Sequence, residues 1–301
     1  MYFEILKTKK GKGTNMKRIL LTVLIFFLIF QNSYSFKIQV VSENSERLIA
    51  NEVANEVSKM YGGGKRDVRI HKIYKILKKL NKVSKKDRST YFFLYVLEMG
   101  QPNAISCGDT LYVSTELLDL IETEDELAFI IGHEIGHTTR QHLRKTINQI
   151  IIETWALAIA YDQIEDENVR IGMAVAANLI NLGWSREHER EADTFGLKYM
   201  TEAGYNPLGA ISILFKLGGE NAGYAQKLIM SHPPTPDRMK KAIREIKENK
   251  WETNKPMGLI YDDDWEKSEI ISNDKISSHQ DINERIKSLS EQFDKKYQNE
   301  E

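Results

Sequence analysis

Two histidines four residues apart, with a glutamate beside the first, lie in the run His133-Glu134-Ile135-Gly136-His137. On an α-helix, residues four apart share a face, so both imidazoles project together. Two neutral imidazole nitrogens can share one Zn²⁺, leaving room for a third protein ligand and a water. Glu134 is placed to take a proton from that water and to return it. The chemistry this predicts is metal-assisted hydrolysis of a peptide bond.

The flanks support a helix. Thr123-Glu124-Asp125-Glu126 has the form of a capping box, with Thr123 as N-cap and Glu126 at N3. Leu127, Ile130, Ile131 and Ile135 then recur at helical spacing. Two histidines and a glutamate inside such a helix need partners. A third histidine six residues after His137 would mark one class of zinc peptidase, but that position holds Leu143. His142 is one residue off and, on a continued helix, faces away from His133 and His137. The acidic run Ser185-Arg186-Glu187-His188-Glu189-Arg190-Glu191-Ala192-Asp193 is the next source of a ligand. Such a run is ordinarily a solvated, salt-bridged helix face. Here Glu189 and Asp193 share a face, as expected of a carboxylate ligand and a carboxylate that orients a ligand histidine. Spacing alone leaves Glu187, Glu189 and Glu191 open, and Glu153 and Glu165 as well.

The combination of His133-Glu134-Ile135-Gly136-His137 with Ser185-Arg186-x-x-Glu189-x-x-Ala192-Asp193-x-x-Gly196 resembles the zinc metallopeptidase family of HtpX and the CAAX prenyl proteases. The resemblance implies a zincin-like domain in which Glu189 is the third zinc ligand and Asp193 orients a ligand histidine. Pro102-Asn103-Ala104, followed by Gly108-Asp109-Thr110-Leu111-Tyr112-Val113, is similar to the family's edge strand, which pairs with the substrate backbone. Ser231-His232-Pro233-Pro234 with Arg238 is similar to a late His-Pro…Arg element. By that likeness His232 either donates to the developing oxyanion or occupies the open zinc position in a resting state. Arg238 is grouped with the substrate-contacting residues; it fixes the His232 segment or is simply a charge on a helix surface. The likeness covers roughly residues 45–250. Around Cys107 the chain departs mildly from the edge-strand pattern.

Integral-membrane members carry long apolar spans between the two zinc motifs. Here Ile150–Ala160 and Ile171–Leu182 are each near a dozen residues and are split by Asp162, Glu165, Asp166, Glu167 and Arg170. A span needs about twenty apolar residues, so both read as buried helices of a soluble domain. The resemblance is nearest to the soluble periplasmic branch of the β-barrel assembly-enhancing protease, without its helical repeats.

Lys17 and Arg18 precede an apolar run, Ile19–Phe30, and small residues follow at Ser33 and Ser35. This is expected to be a secretory signal peptide over 1–35, cleaved after Ser35. Met16 alone starts a conventional signal, so 1–15 read as lying upstream of an alternative start codon. The expected organisation is a signal over 1–35, a metallopeptidase domain over 36–250 and a polar tail over 251–301. In that tail Ile282, Ile286, Leu289 and Phe293 mark one amphipathic helix. A formal net charge of −1 gives no reason to invoke nucleic acid. The single cysteine, Cys107, excludes an internal disulfide.

The remaining elements must carry these groups. Ser45–Tyr61 reads as a helix stopped at Gly62-Gly63-Gly64, and Val68–Val83 as a second with a lysine-rich polar face. Thr90–Met99 and Thr110–Val113 read as strands. A helix through Phe195, Leu197 and Met200 ends at Gly204; Pro207–Leu217 forms another, and Thr235-Pro236-Asp237 opens one more. The fold class is therefore mainly α with one small antiparallel or mixed β-sheet. His71, His188 and His279 have no evident partner and read as surface residues.

The expected function is a zinc-dependent endopeptidase with one Zn²⁺ per chain, held by His133, His137 and Glu189. Glu134 is its general base and then acid, Asp193 its orienting carboxylate, and Asn103 and Ala104 its substrate strand. Its substrates are proteins or peptides, in quality control of the cell envelope, with envelope or outer-membrane partners and a periplasmic or secreted location. The rival is a latent or chaperone-like binding factor using the same groove, which has no need of an intact Glu134.

Overall fold

The computed structural model describes residues 41–62, 64, 67, 69–84, 93–107, 110–161, 184–218, 232 and 236–257, with only the backbone over 152–161. The expected signal peptide and tail helix, the 171–182 run, Glu165, His279, Gly108-Asp109 and the flanks Ser231, Pro233 and Pro234 lie outside the described residues. So does the side chain of Glu153.

Helix α1 runs Glu43–Tyr61, and Ser42 caps it by accepting from the Ser45 N–H at 3.1 Å. The cap lies three residues before the expected start. The chain leaves α1 at Gly62, whose φ of 69° suits a residue without a Cβ. Helix α2 is Ile70–Val83, held at its start by Arg69 paired with Asp67 and Asp119. Strands β1 (Phe93–Leu97), β2 (Ala104–Cys107) and β3 (Thr110–Ser114) follow. They form a mixed sheet of order β1-β3-β2, with β1 parallel and β2 antiparallel to β3. Helix α3, Thr115–Leu120, leads into α4, Glu124–Thr139. Then come α5 (His142–Tyr161), α6 (Arg186–Glu202), α7 (Leu208–Gly218) and α8 (Pro236–Glu248).

Strand alternation distributes the core. Leu111 and Val113 of β3 and Val96 of β1 face a cluster built with α2, α4, α6, α7 and α8. Tyr112 and Leu97 face the opposite side and pack with Val53 and Val57 of α1 and Ile147 and Ile151 of α5. The Tyr112 hydroxyl donates to the Ala54 carbonyl at 2.9 Å, which satisfies its buried end. Among the described residues no helix is long and apolar enough to cross a membrane.

Candidate metal centre

The capping box forms as the sequence predicts. The Thr123 hydroxyl accepts from the Glu126 N–H at 3.1 Å, and Glu126 accepts from the Thr123 N–H at 3.1 Å. Glu126 does more than cap. It is fully buried and also takes the Ser212 hydroxyl at 2.5 Å and Lys216 Nζ at 2.6 Å, both on α7. The start of α4 is thereby fixed to the rest of the core, and the histidines two turns later inherit that placement.

Helix α6 reaches α4 along a seam of small residues. A Cβ on Gly132 would stand 3.0 Å from the Gly196 carbonyl oxygen, and one on Gly136 would stand 3.1 Å from Ala192 Cα. A Cβ on Gly196 would stand 3.0 Å from His133 N. Only residues this small let the two backbones approach closely enough for Glu189 and Asp193 to reach the histidines.

Four side chains then converge: His133, His137, Glu189 and His232 are all buried, with candidate ligand atoms within 4.8 Å of one another. His133 Nε2 lies 3.0 Å from His137 Nε2 and 3.2 Å from His232 Nδ1. Glu189 Oε1 lies 3.2 Å from His137 Nε2 and 2.8 Å from His232 Nδ1, and Oε2 is 3.6 Å from His133 Nε2. Ligands on a tetrahedral zinc, with bonds of about 2.0–2.1 Å, stand about 3.3 Å apart. The observed separations bracket that figure. Two nitrogens, one carboxylate and a third imidazole form a donor set that suits zinc.

The polar surroundings prepare these groups. His133 Nδ1 donates to Asp193 Oδ1 at 2.9 Å, which leaves Nε2 as a lone pair facing the cluster. Burial pushes His137 well below the usual histidine range, so the ring is neutral, as a metal ligand must be. Burial raises the Glu189 carboxyl, but His232, Arg238 and His133 outweigh it and hold the group well below the usual carboxylate range. Glu189 Oε2 lies 2.9 Å from Arg238 Nη1, yet the approach is off-line, and this oxygen has no hydrogen-bond partner among the described residues. A buried carboxylate oxygen without a hydrogen bond is a vacant acceptor of the kind a cation fills.

Arg238 is itself buried, so the option of a surface charge is corrected. Its Nε and Nη2 donate to the two oxygens of Asp193, each at 2.7 Å, and Nη1 donates to the His232 carbonyl at 3.2 Å. One guanidinium thus fixes both the carboxylate behind His133 and the backbone of His232. Burial opposes the Asp193 charge, but Arg238 holds that carboxyl below its ordinary value.

Glu134 points toward β2. The Ser106 N–H donates to Glu134 Oε2 at 3.0 Å, while Glu134 Oε1 lies 3.4 Å from His232 Nε2. The Ser106 amide therefore faces away from β3, along the open edge of the sheet. By strand alternation the backbone groups of Ala104 face the same way. Those of Asn103 are turned to Ser114, whose N–H donates to the Asn103 carbonyl and whose hydroxyl accepts from the Asn103 N–H. Asn103 and Ala104 both line a small apolar pocket, open to solvent, walled by Leu117, Phe129, Ile130, Leu214 and Leu217 and adjoining His133 and Glu134. Cys107, at the end of β2, is a buried core residue whose thiol burial and the nearby Glu134 push up to about 12.

Two expectations are overturned. His142 does not face away: its Nδ1 lies 2.8 Å from His137 Nδ1 and its side chain is fully buried. Helix α4 stops at Thr139, and Gln141, with φ of 57°, redirects the chain before α5 begins. Nor is His188 a free surface ring: it is half-buried and stacks on His142 with centroids 4.3 Å apart. Burial holds His142 down to about 4. Of the acidic candidates whose side chains are described, Glu187 is exposed and Glu191 is engaged with His142, Arg140 and Lys145, and Glu189 joins the cluster. Trp184, which no motif in the sequence marks, stacks on His137 with ring centroids 4.7 Å apart. His71 is exposed, as expected.

A sequence profile described as peptidase family M48 matches residues 65–247. Mitochondrial metalloendopeptidase OMA1 of Arabidopsis thaliana is 29% identical over 130 residues, 43% of this chain and 26% of its own. A β-barrel assembly-enhancing protease of Yersinia pestis is 24% identical over 166 residues, 51% of this chain and 34% of its own. Metalloprotease LoiP of Escherichia coli (strain K12) is 26% identical over 130 residues, 42% of this chain and 51% of its own. The match thus spans between a quarter and about half of these relatives' lengths.

Proposed function

The chain belongs to peptidase family M48, a family of metallopeptidases, and on that premise we propose that it is a zinc-dependent endopeptidase of protein substrates, with His133, His137 and Glu189 holding one Zn²⁺. The observation that carries this reading is the convergence of those three side chains with His232 at 2.8–3.6 Å, beside a buried Glu134. When bound, a zinc ion supplies a Lewis acid that polarises the scissile carbonyl and acidifies a water. Glu134 takes the proton of the attacking water and delivers it to the leaving nitrogen. The Ser106 amide holds one oxygen of Glu134 and leaves Oε1 directed at the reacting side. Asp193, braced by Arg238, keeps His133 in the tautomer that presents Nε2.

An extended substrate adds to the open edge of β2, pairing with the backbone of Ala104. Asn103 acts from the pocket wall rather than through its backbone. The apolar pocket beside Glu134 takes an apolar side chain of the substrate. The name of the Yersinia relative supports a task in the assembly or quality control of β-barrel proteins in the cell envelope. The apolar run at 19–30 supports export to the periplasm or beyond.

His232 favours a second, related reading. Its Nδ1 lies 2.8 Å from Glu189 among the candidate ligand atoms; on this reading His232 is a fourth ligand in a latent form and withdraws before substrate enters. Purified protein tests both readings, through zinc content and casein cleavage of wild type, Glu134→Ala and His232→Ala. We expect about one zinc per chain in each form and cleavage abolished in Glu134→Ala, by a factor of at least ~10². Higher activity in His232→Ala would establish latency, and loss would make His232 the oxyanion donor. Cleavage by Glu134→Ala at the wild-type rate would end the mechanism. Zinc without cleavage in any form would return the weight to a binding factor.

A further inference from the structure

His137 turns its second ring nitrogen not to a carboxylate or a backbone carbonyl but to another histidine. His137 Nδ1 and His142 Nδ1 are 2.8 Å apart, and His142 Nε2 is 3.0 Å from Glu191 Oε2. The donors along this line can be assigned from its far end. Glu191 sits between the cations of Arg140 and Lys145 and pairs with both, as a carboxylate does. It can only accept, so His142 carries its proton on Nε2. A neutral ring protonated there has a bare Nδ1. His137 must then donate from Nδ1, which leaves its Nε2 as the lone pair that meets His133 and Glu189.

The surroundings hold His142 in that pose. Its side chain is fully buried, and the His188 ring stacks on it, with an interplanar angle of 12°. Glu191 is anchored from two further directions, by Arg140 Nε at 2.5 Å and Lys145 Nζ at 3.1 Å. The two histidines that α4 contributes to the cluster are therefore oriented by different devices. His133 leans directly on the carboxylate Asp193, and His137 leans on a carboxylate through an intervening neutral imidazole.

We propose that His142 is a positioning residue for the metal centre: through the line His137–His142–Glu191 it fixes the tautomer and the orientation of His137. The proposal rests on the reading of His137 as a metal ligand. A partner of this kind typically changes metal affinity about 10–100-fold when removed.

Two substitutions separate orientation from packing. His142→Asn keeps an acceptor close to the position of Nδ1 but loses the stacked ring. His142→Leu fills the apolar space but offers no acceptor. Zn²⁺ affinity of the full chain is measured by competition with a chromophoric chelator, alongside the visible spectrum of the Co²⁺-loaded forms. His142→Leu should bind Zn²⁺ about 10–100-fold more weakly and shift the Co²⁺ bands. His142→Asn should recover most of the affinity and the wild-type bands. The reverse order, with Leu retaining affinity and Asn losing it, would reduce His142 to a packing residue and overturn the proposal. Equal affinity in wild type and both variants would overturn it as well. A wild type that takes up no Zn²⁺ would overturn the reading of the centre itself, and with it this line.

Discussion

Arg238 is the residue on which the polar half of the centre depends. Two buried carboxylates, Asp193 and Glu189, stand within 2.9 Å of its guanidinium, and the carbonyl of His232 takes a third nitrogen. Removing one partner of a buried ion pair leaves a charge uncompensated and typically costs about 3–5 kcal/mol. Arg238→Ala should therefore lower stability by about that amount in urea unfolding with chelator present. Arg238→Lys should recover only part of the loss, because an ammonium cannot reproduce the fork that meets both oxygens of Asp193. An Arg238→Ala midpoint equal to that of wild type would mean that Asp193 is protonated and the bracing is illusory. The motif around His133 was legible because its spacing is the helical repeat itself. Arg238 was visible in the sequence only by resemblance, since nothing in Pro236-Asp237-Arg238 distinguishes a buried fork from an exposed charge. The place of His142 is hidden from the sequence for a definite reason: helical periodicity carries α4 nine residues beyond His133, whereas the positive φ of Gln141 breaks that helix and brings the ring back.

At the level of elements, the seam between α4 and α6 sets the distance on which everything else depends. In most exposed helical positions Gly→Ala is stabilising, by roughly 1 kcal/mol of helix propensity. At Gly196 the added methyl would stand 3.0 Å from His133 N and 3.2 Å from its Cα. These are backbone atoms of a buried helix and cannot swing aside as a side-chain end could. Overpacking of this kind costs about 1–3 kcal/mol, so after the propensity gain Gly196→Ala should be a net destabilisation of up to about 2 kcal/mol. It should also weaken Zn²⁺ binding, because relief requires His133 to move. Stabilisation by Gly196→Ala, read from thermal melts, would show that the helices have room to part. The long elements were readable from their periodicity: α2 and α4 from apolar spacing, and α4 also from its capping box. Strand β2 and helix α3 were not. At four and six residues they are too short to show a period, and tertiary pairing with β3 rather than local propensity makes β2 a strand.

Across the whole molecule, the centre ties together parts of the chain that are far apart in sequence. Helix α4 contributes His133 and His137, α6 contributes Glu189, and His232 comes from almost a hundred residues beyond His133. Three imidazole nitrogens face one another there and, among the described residues, a buried carboxylate oxygen lacks a hydrogen bond, an arrangement that a bound cation would stabilise. An ion that binds the folded chain and not the unfolded one stabilises it by about 2.7 kcal/mol at a hundredfold excess over its dissociation constant. For a domain of this size each kcal/mol moves Tm by about 2–4 °C. Stripping the protein with chelator should thus lower Tm by about 5–10 °C, and adding back Zn²⁺ should raise it steadily with the logarithm of free metal. Glu134→Ala, which removes no ligand, should follow the same dependence. Glu189→Ala should follow it weakly or not at all. Calorimetry across a series of buffered Zn²⁺ concentrations reads all three forms without recourse to activity. A wild-type Tm indifferent to both chelator and Zn²⁺ would mean that the four side chains are a self-sufficient hydrogen-bonded cluster, and that the folded chain does not need the ion its geometry suits.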